Sequence, residues 1–183
     1  ASAIEAGLAL AETALPDPRI LPPELRQRRA SFVTLTVEGS LRGCCGSLEP
    51  RRALAVDVWL NAQASAFHDS RFAPLAAWEW DTIDLEVSVL SPLEAVPAPS
   101  EAKLLRAIRP GVDGLVINWR GHRATFLPKV WEQLPSPPDF LQHLKQKAGW
   151  SGDFWASDVE AWRYHTETFG VARPGAGPAS RPA

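Results

Sequence analysis

Apolar positions along the chain repeat with two periods, about 3.6 residues in some stretches and 2 in others. Residues 3–15, AIEAGLALAETAL, put Ile4, Leu8, Ala11 and Leu15 on one helical face, and Pro16 and Pro18 end that helix. Residues 22–29, PPELRQRR, form a polar connector. SFVTLTV (31–37) is a β-rich run with Val33, Leu35 and Val37 on one face; after a Glu38-Gly39-Ser40 turn, LRGCCGSL (41–48) returns as the second arm of an antiparallel hairpin. Residues 53–66 turn helical, with Leu54, Val58, Ala62 and Ala66 aligned. The clearest strand is TIDLEVSVL (82–90): Ile83, Leu85, Val87 and Val89 point one way, Asp84, Glu86 and Ser88 the other.

The second half follows the same logic. SPLEAVPAPS (91–100) is Pro-rich and extended, and Ser100 is placed to N-cap a short helix over 101–108. Residues 115–127 form a hairpin around Arg120-Gly121. Ser136-Pro137 opens a helix that Gly149 stops, and residues 158–168 form the last strand. Strands that come as hairpins mixed with helices, without regular βαβ alternation, define an α+β class with antiparallel sheets. Residues 171–183 are Pro-, Gly- and Ala-rich without periodicity and are expected to be a disordered tail.

Composition narrows the picture. A chain of 183 residues fits one domain, or one domain with two lobes. Its net charge of −2 argues against a strongly basic nucleic-acid binder. No apolar run is long enough to cross a membrane. The two cysteines, Cys44 and Cys45, are sequence neighbours with no third to pair with, which fits a reducing, cytoplasmic location. The chain lacks Met, so it starts beyond an initiator residue through processing or truncation. The excess of Ala, and of Arg over Lys, has the look of a GC-rich bacterial coding bias.

Two segments carry unusual chemistry. In LRGCCGSLEP, Gly43 and Gly46 bracket the cysteine pair, and glycine within a strand marks a bulge or a close approach to the backbone. A thiol on such a bend beside Arg42 is a candidate nucleophile; a small buried hydrophobe is the plainer role for a free cysteine. In FHDSRF, Arg71 is a candidate clamp for an anion or substrate, with a carboxylate such as Glu86 as its partner, or else one part of a structural turn. His68, His122 and His165 are candidate partners for a Cys–His pair. The spacings of zinc sites, phosphate-cradling glycine loops and serine-hydrolase elbows do not occur, so the residues name no metal or cofactor. Trp59, Trp131, Trp155 and Trp162 read as core; Trp78 and Trp80 are placed to line a cleft, and with nearby arginines they leave single-stranded nucleic acid as a minor alternative.

These motifs resemble a known family. LRGCCGS (41–47) is similar to the LRGCIG signature of the AMMECR-one domain family, called AmmeMemoRadiSam system protein A in prokaryotes. ASAFHDSRFAP (64–74) is similar to its Asp-x-Arg-Phe motif. DLEVSVLSPLEAV, GVDGLVINWRGHRATFLPKVWE and WRYHTETF resemble its later strands, so residues 1–170 read as one such domain. The resemblance implies an α+β fold of two lobes on antiparallel sheets flanked by helices, with the signature near a cleft between them. It implies Memo-like and radical S-adenosylmethionine proteins as partners, and it leaves cofactors unknown. Matched by position, Arg42, Gly43, Cys44 and Gly46 belong to the first motif and Asp69, Arg71 and Phe72 to the second. Cys45 replaces an aliphatic residue of the signature, so Cys44 is the candidate for chemistry and Cys45 a core substitute. Two readings follow. One is a small-substrate enzyme or cofactor-handling protein in which Cys44 and Glu86 are catalytic and Arg42, Gly43, Gly46, Asp69, Arg71 and Phe72 bind substrate. The other is a non-enzymatic partner or regulatory module.

Overall fold

The computed structural model describes residues 1–10 and 14–171, so the tail expected over 171–183 lies, from residue 172 on, outside the described residues. The chain divides into two compact units, residues 1–90 with the chain from Glu167 on, and Ser91–Thr166. Each has one antiparallel four-stranded sheet with helices packed on it, as the α+β reading requires.

In the first unit, β1 (Ser31–Val37) and β2 (Ser40–Gly46) form the expected hairpin, and β3 (Ile83–Leu90) pairs with the other side of β1. With β8 (Thr166–Val171) the order is β2-β1-β3-β8, which leaves β2 at an edge. Helix α1 (Ser2–Leu8) stops well short of residue 15, because Leu10 takes a φ of 51° that no helix continues. The connector holds one short turn of helix, α2 (Pro23–Arg26). Helix α3 (Leu54–Phe67) lies on the face of the sheet that carries Val33 and Leu35. Those residues, with Ile4, Ala62, Ala66, Ile83 and Leu85, form the core. A pocket of about 200 Å³ opens at its margin between Val33, Val58, Trp59 and Val87.

The buried face of α3 is not the purely apolar one its sequence suggests. Asp57, Asn61 and Ser65, spaced four apart, are buried with Ala62 and Ala66. Asp57 Oδ2 accepts from the Ser31 amide at 3.0 Å, from the Ser31 and Ser47 hydroxyls at 2.8 Å each, and from Asn61 Nδ2 at 2.9 Å. A buried carboxylate persists only when satisfied in this way, and the network fixes both ends of the hairpin to α3.

The second unit has the order β4-β7-β5-β6: β4 (Glu94–Val96), β7 (Glu160–Tyr164), β5 (Gly114–Trp119) and β6 (His122–Phe126). Helices α4 (Glu101–Ala107) and α5 (Pro137–Lys147) carry Leu104, Phe140, Leu141 and Leu144 into a core with Leu115, Ile117, Trp131 and Ala161. Ser100 caps α4 as expected, accepting from the Lys103 amide. Ser136 stands at the N-cap of α5 without a capping bond from its side chain. The single last strand expected over 158–168 is two strands. The chain leaves the second sheet at Tyr164 and enters the first at Thr166. At the break, His165 and Ser91 hold the two connecting segments together: the Ser91 amide donates to the His165 carbonyl at 2.8 Å, and the His165 amide to Ser91 Oγ at 2.9 Å.

Candidate functional site

The first motif occupies the edge strand, and its glycines explain why it bends there. Gly43 is buried, and a Cβ on it would collide with the Ser65 carbonyl of α3. Helix and strand therefore approach as closely as a glycine allows. The β1–β2 register slips between Leu35 and Thr36, opposite Gly43 and Leu41, and Arg42 is the extra residue of this bulge. Past the bulge, Cys44 stands opposite Thr34 and Cys45 opposite Val33. The two cysteines thus take opposite faces of the sheet. Cys45 shares the α3 face, where its amide donates to Ser65 Oγ at 2.8 Å and burial pushes its thiol pKa up. Cys45 is half-buried there and lies outside the core cluster. Gly46 is exposed, and a Cβ on it would fall on the Phe32 ring across the ladder.

Cys44 is half-buried on the other face, its Sγ 3.5 Å from Thr34 Oγ1. Its peptide group is held from outside the sheet by the second motif. The Cys44 amide donates to Asp69 Oδ2 at 2.9 Å, and Arg71 Nη2 donates to the Cys44 carbonyl at 3.2 Å. Arg71 also grips Asp69 through Nε (2.9 Å) and Nη2 (2.7 Å). The pair therefore does what a fifth strand would do, satisfying the unpaired backbone at the sheet edge. The partner in hand for Arg71 is Asp69 of its own motif, where the sequence suggested Glu86. The Asp69 side chain is only 6% exposed, and its carboxyl is held far below the usual range chiefly by the Arg71 guanidinium, with the Cys44 and Arg71 amides adding to the effect. The Arg71 side chain is 55% exposed; Asp69 raises its pKa, and both thiols lie within its electrostatic reach.

Arg42 turns away from this role. It forms a bidentate pair with Glu79, Nε to Oε1 at 2.7 Å and Nη2 to Oε2 at 2.9 Å, both side chains largely buried. Glu79 belongs to a 3-10 helix, Ala77–Thr82, that leads into β3. The cation beside the thiols is thus Arg71, not Arg42. Phe72 lies under both guanidinium groups, 5.9 Å from Arg42 and 5.5 Å from Arg71, and braces them.

Glu86 stands opposite Thr34 on β3, so Cys44, Thr34 and Glu86 form one row across three strands. Two strand spacings separate the backbones of the outer members by roughly 10 Å. No histidine is among the groups bonded to Cys44 among the described residues. His68 is exposed, His165 is engaged by Arg109 at 3.0 Å, and His122 pairs with Trp119 on the β5–β6 hairpin. Among the described residues no three His, Cys, Asp or Glu gather as metal ligands would. Trp78 is 80% exposed, whereas Trp80 packs against the first core. Trp131 is buried as expected, and Trp59 and Trp155 pack against the cores.

In a comparison with known proteins, the AMMECR1 family matches residues 2–169. The chain belongs to the AMMECR1 family. A relative from Methanothermobacter thermautotrophicus is 40% identical over 162 residues, covering 85% of this chain and 81% of the relative. Protein PH0010 from Pyrococcus horikoshii is 33% identical over 163 residues, 83% of this chain and 77% of its own. The crystal structure titled as uncharacterized protein PH0010 superposes with a TM-score of 0.87 at 32% identity, over 100% of this chain and 92% of that one. These relatives are archaeal, so the Ala and Arg bias is a poor guide to origin. No helix among the described residues is long and apolar enough to cross a membrane.

Thr34, Ser65, Asp57 and Glu79 escaped the sequence reading. Thr34 was within reach, because alternation places it on the face opposite Val33 and Leu35. Glu79 left no signal, since its value depends on a bulge that brings Arg42 to it.

Proposed function

We propose that this AMMECR1 protein is a small-substrate enzyme or cofactor-handling component whose reacting group is the Cys44 thiol, and that it works with Memo-like and radical S-adenosylmethionine partners. The observation that carries this reading is the clamp on Cys44. Side chains of the second motif hold its amide and its carbonyl while its thiol stays half-exposed beside Thr34 and within the field of Arg71. A reacting atom benefits from a fixed backbone and a nearby cation. Edge protection alone would explain the clamp but not the thiol at its centre. In this reading Arg71 attracts the substrate, Asp69 orients Arg71, Arg42 with Glu79 and Phe72 holds the scaffold, and Glu86 serves as acid or base on substrate spanning the row.

The test is alkylation by iodoacetamide at neutral pH, followed by peptide mass mapping. Cys44 is expected to react faster than the same thiol in unfolded protein and faster than Cys45, and Arg71→Ala is expected to slow it. A Cys44 that reacts no faster folded than unfolded rules out the reacting role.

A second reading, a docking module for the same partners, draws on Trp78, which stands 80% exposed beside the residue that anchors Arg42. It predicts that co-purification with the partner proteins is lost in Arg71→Ala and Trp78→Ala. Binding that survives both eliminates it.

A further inference from the structure

The aromatic side chains of the second unit enclose a pocket that none of the chemistry above uses. It measures about 200 Å³ and is lined by Trp119, His122, Gly149, Trp150, Ser151 and Phe154. Its walls brace one another. The Trp119 and Phe154 rings are 4.6 Å apart at 55°, and Trp150 meets Phe154 nearly edge-on at 5.4 Å. The hairpin supplies Trp119 and His122, which stand opposite each other in its last pair. The turn after α5 supplies the rest. Gly149, at a φ of 79°, reverses the chain so that the Trp150 amide bonds back to the Lys145 carbonyl at 2.9 Å.

The carboxylates at its edge are already engaged: the Trp119 indole N–H donates to Asp158 at 3.0 Å, and the Ser151 side chain bonds Asp153. The Arg120 guanidinium lies 4.6 Å over the Trp119 ring, and the exposed His122 stands at the rim. Trp150 Nε1 is the one buried side-chain nitrogen or oxygen among the described residues with no partner. Such a donor is a standing cost that an acceptor would remove. It is sealed from solvent, between the exposed Gly149 and Ser151. Aromatic walls often favour a cation. Here Arg120 already supplies one, so a second would meet it at close range. The volume suits a ligand of one or two rings, since a cavity of about 150 Å³ holds benzene.

We propose that this pocket binds a small planar aromatic carboxylate. The ring packs against Trp119, Trp150 and Phe154, and the carboxylate meets Arg120. The test is a titration of ¹⁵N-labelled protein with benzoate and with indole-3-carboxylate, following the indole N–H resonances of Trp119 and Trp150, assigned through Trp119→Phe and Trp150→Phe. Both resonances are expected to shift saturably under the ring current of the bound ligand. Arg120→Asn, which suits the positive φ of that turn, is expected to weaken both probes about fivefold with the spectrum otherwise intact. The proposal is overturned if neither probe gives a saturable shift, or if Arg120→Asn changes nothing. It is equally overturned if benzyltrimethylammonium or cyclohexanecarboxylate binds as tightly as the aromatic acids.

Discussion

At the scale of single residues, the site turns on how charge is compensated. The Asp69 carboxyl is pulled well below its ordinary value, first by the Arg71 side chain and then by two backbone amides, while burial works against the shift. A group whose folded-state pKa is depressed stabilises the fold above its unfolded value, near 3.9 for Asp. That stabilisation drains away as pH falls toward the folded value. Thermal melts between pH 7 and pH 3 are therefore expected to show Asp69→Asn less stable than wild type at neutral pH. The gap should narrow below about pH 4, where the wild type gives up the stabilisation the variant never had. Parallel curves across that range would show that Asp69 does not couple to the fold. Glu79, lowered by the Arg42 pair, adds a second acid-sensitive contact of the same sign. None of this was readable beforehand, although Asp69 and Arg71 were singled out by position. That a motif's acid and base bond to each other, and jointly to Cys44, depends on a helix end folding back onto a strand edge.

At the scale of elements, alternation and turn chemistry were enough where the signal is local. The β1 run, the Ser100 cap and the Arg120-Gly121 hairpin all stand where their residues imply. Both turn residues of that hairpin have positive φ, 49° at Arg120 and 86° at Gly121, the two-residue geometry that matches strand twist. Arg120 adopts this region at some cost and Gly121 does not. Gly121→Val is expected to lower stability by about 1–2 kcal/mol, read from denaturant midpoints at unchanged slope. A neutral result would mean that the turn relaxes to another type. Elements were misread where the deciding contact is distant. The helix over 3–15 has good composition throughout, yet ends at Leu8. The run over 158–168 keeps a continuous β pattern, with no glycine or proline to mark its break at His165. Only the bonds from Ser91 show that two sheets claim its halves.

At the scale of the whole molecule, the topology is an insertion. β3 ends at Leu90 and β8 begins at Thr166, the two are neighbours in one sheet, and all of the second unit is threaded between them. The two cores share no residue: one draws on positions 3–85, the other on 96–161. An inserted unit with its own core and closely spaced ends can fold without its host. The paired Ser91 and His165 backbones show how near those ends are. A fragment of residues 91–166 is therefore expected to melt cooperatively and give a dispersed amide spectrum, with Trp131 protected from solvent as in the intact chain. It should also keep the aromatic pocket, because every residue lining it lies inside that span. The remainder carries every residue of the Cys44 clamp, so joining Leu90 to Glu167 through a short glycine-rich turn is expected to retain the rapid alkylation of Cys44. A fragment that stays unfolded would refute the independence of the second core. A folded remainder whose Cys44 has lost its reactivity would place part of the thiol's environment in the excised residues rather than in the clamp.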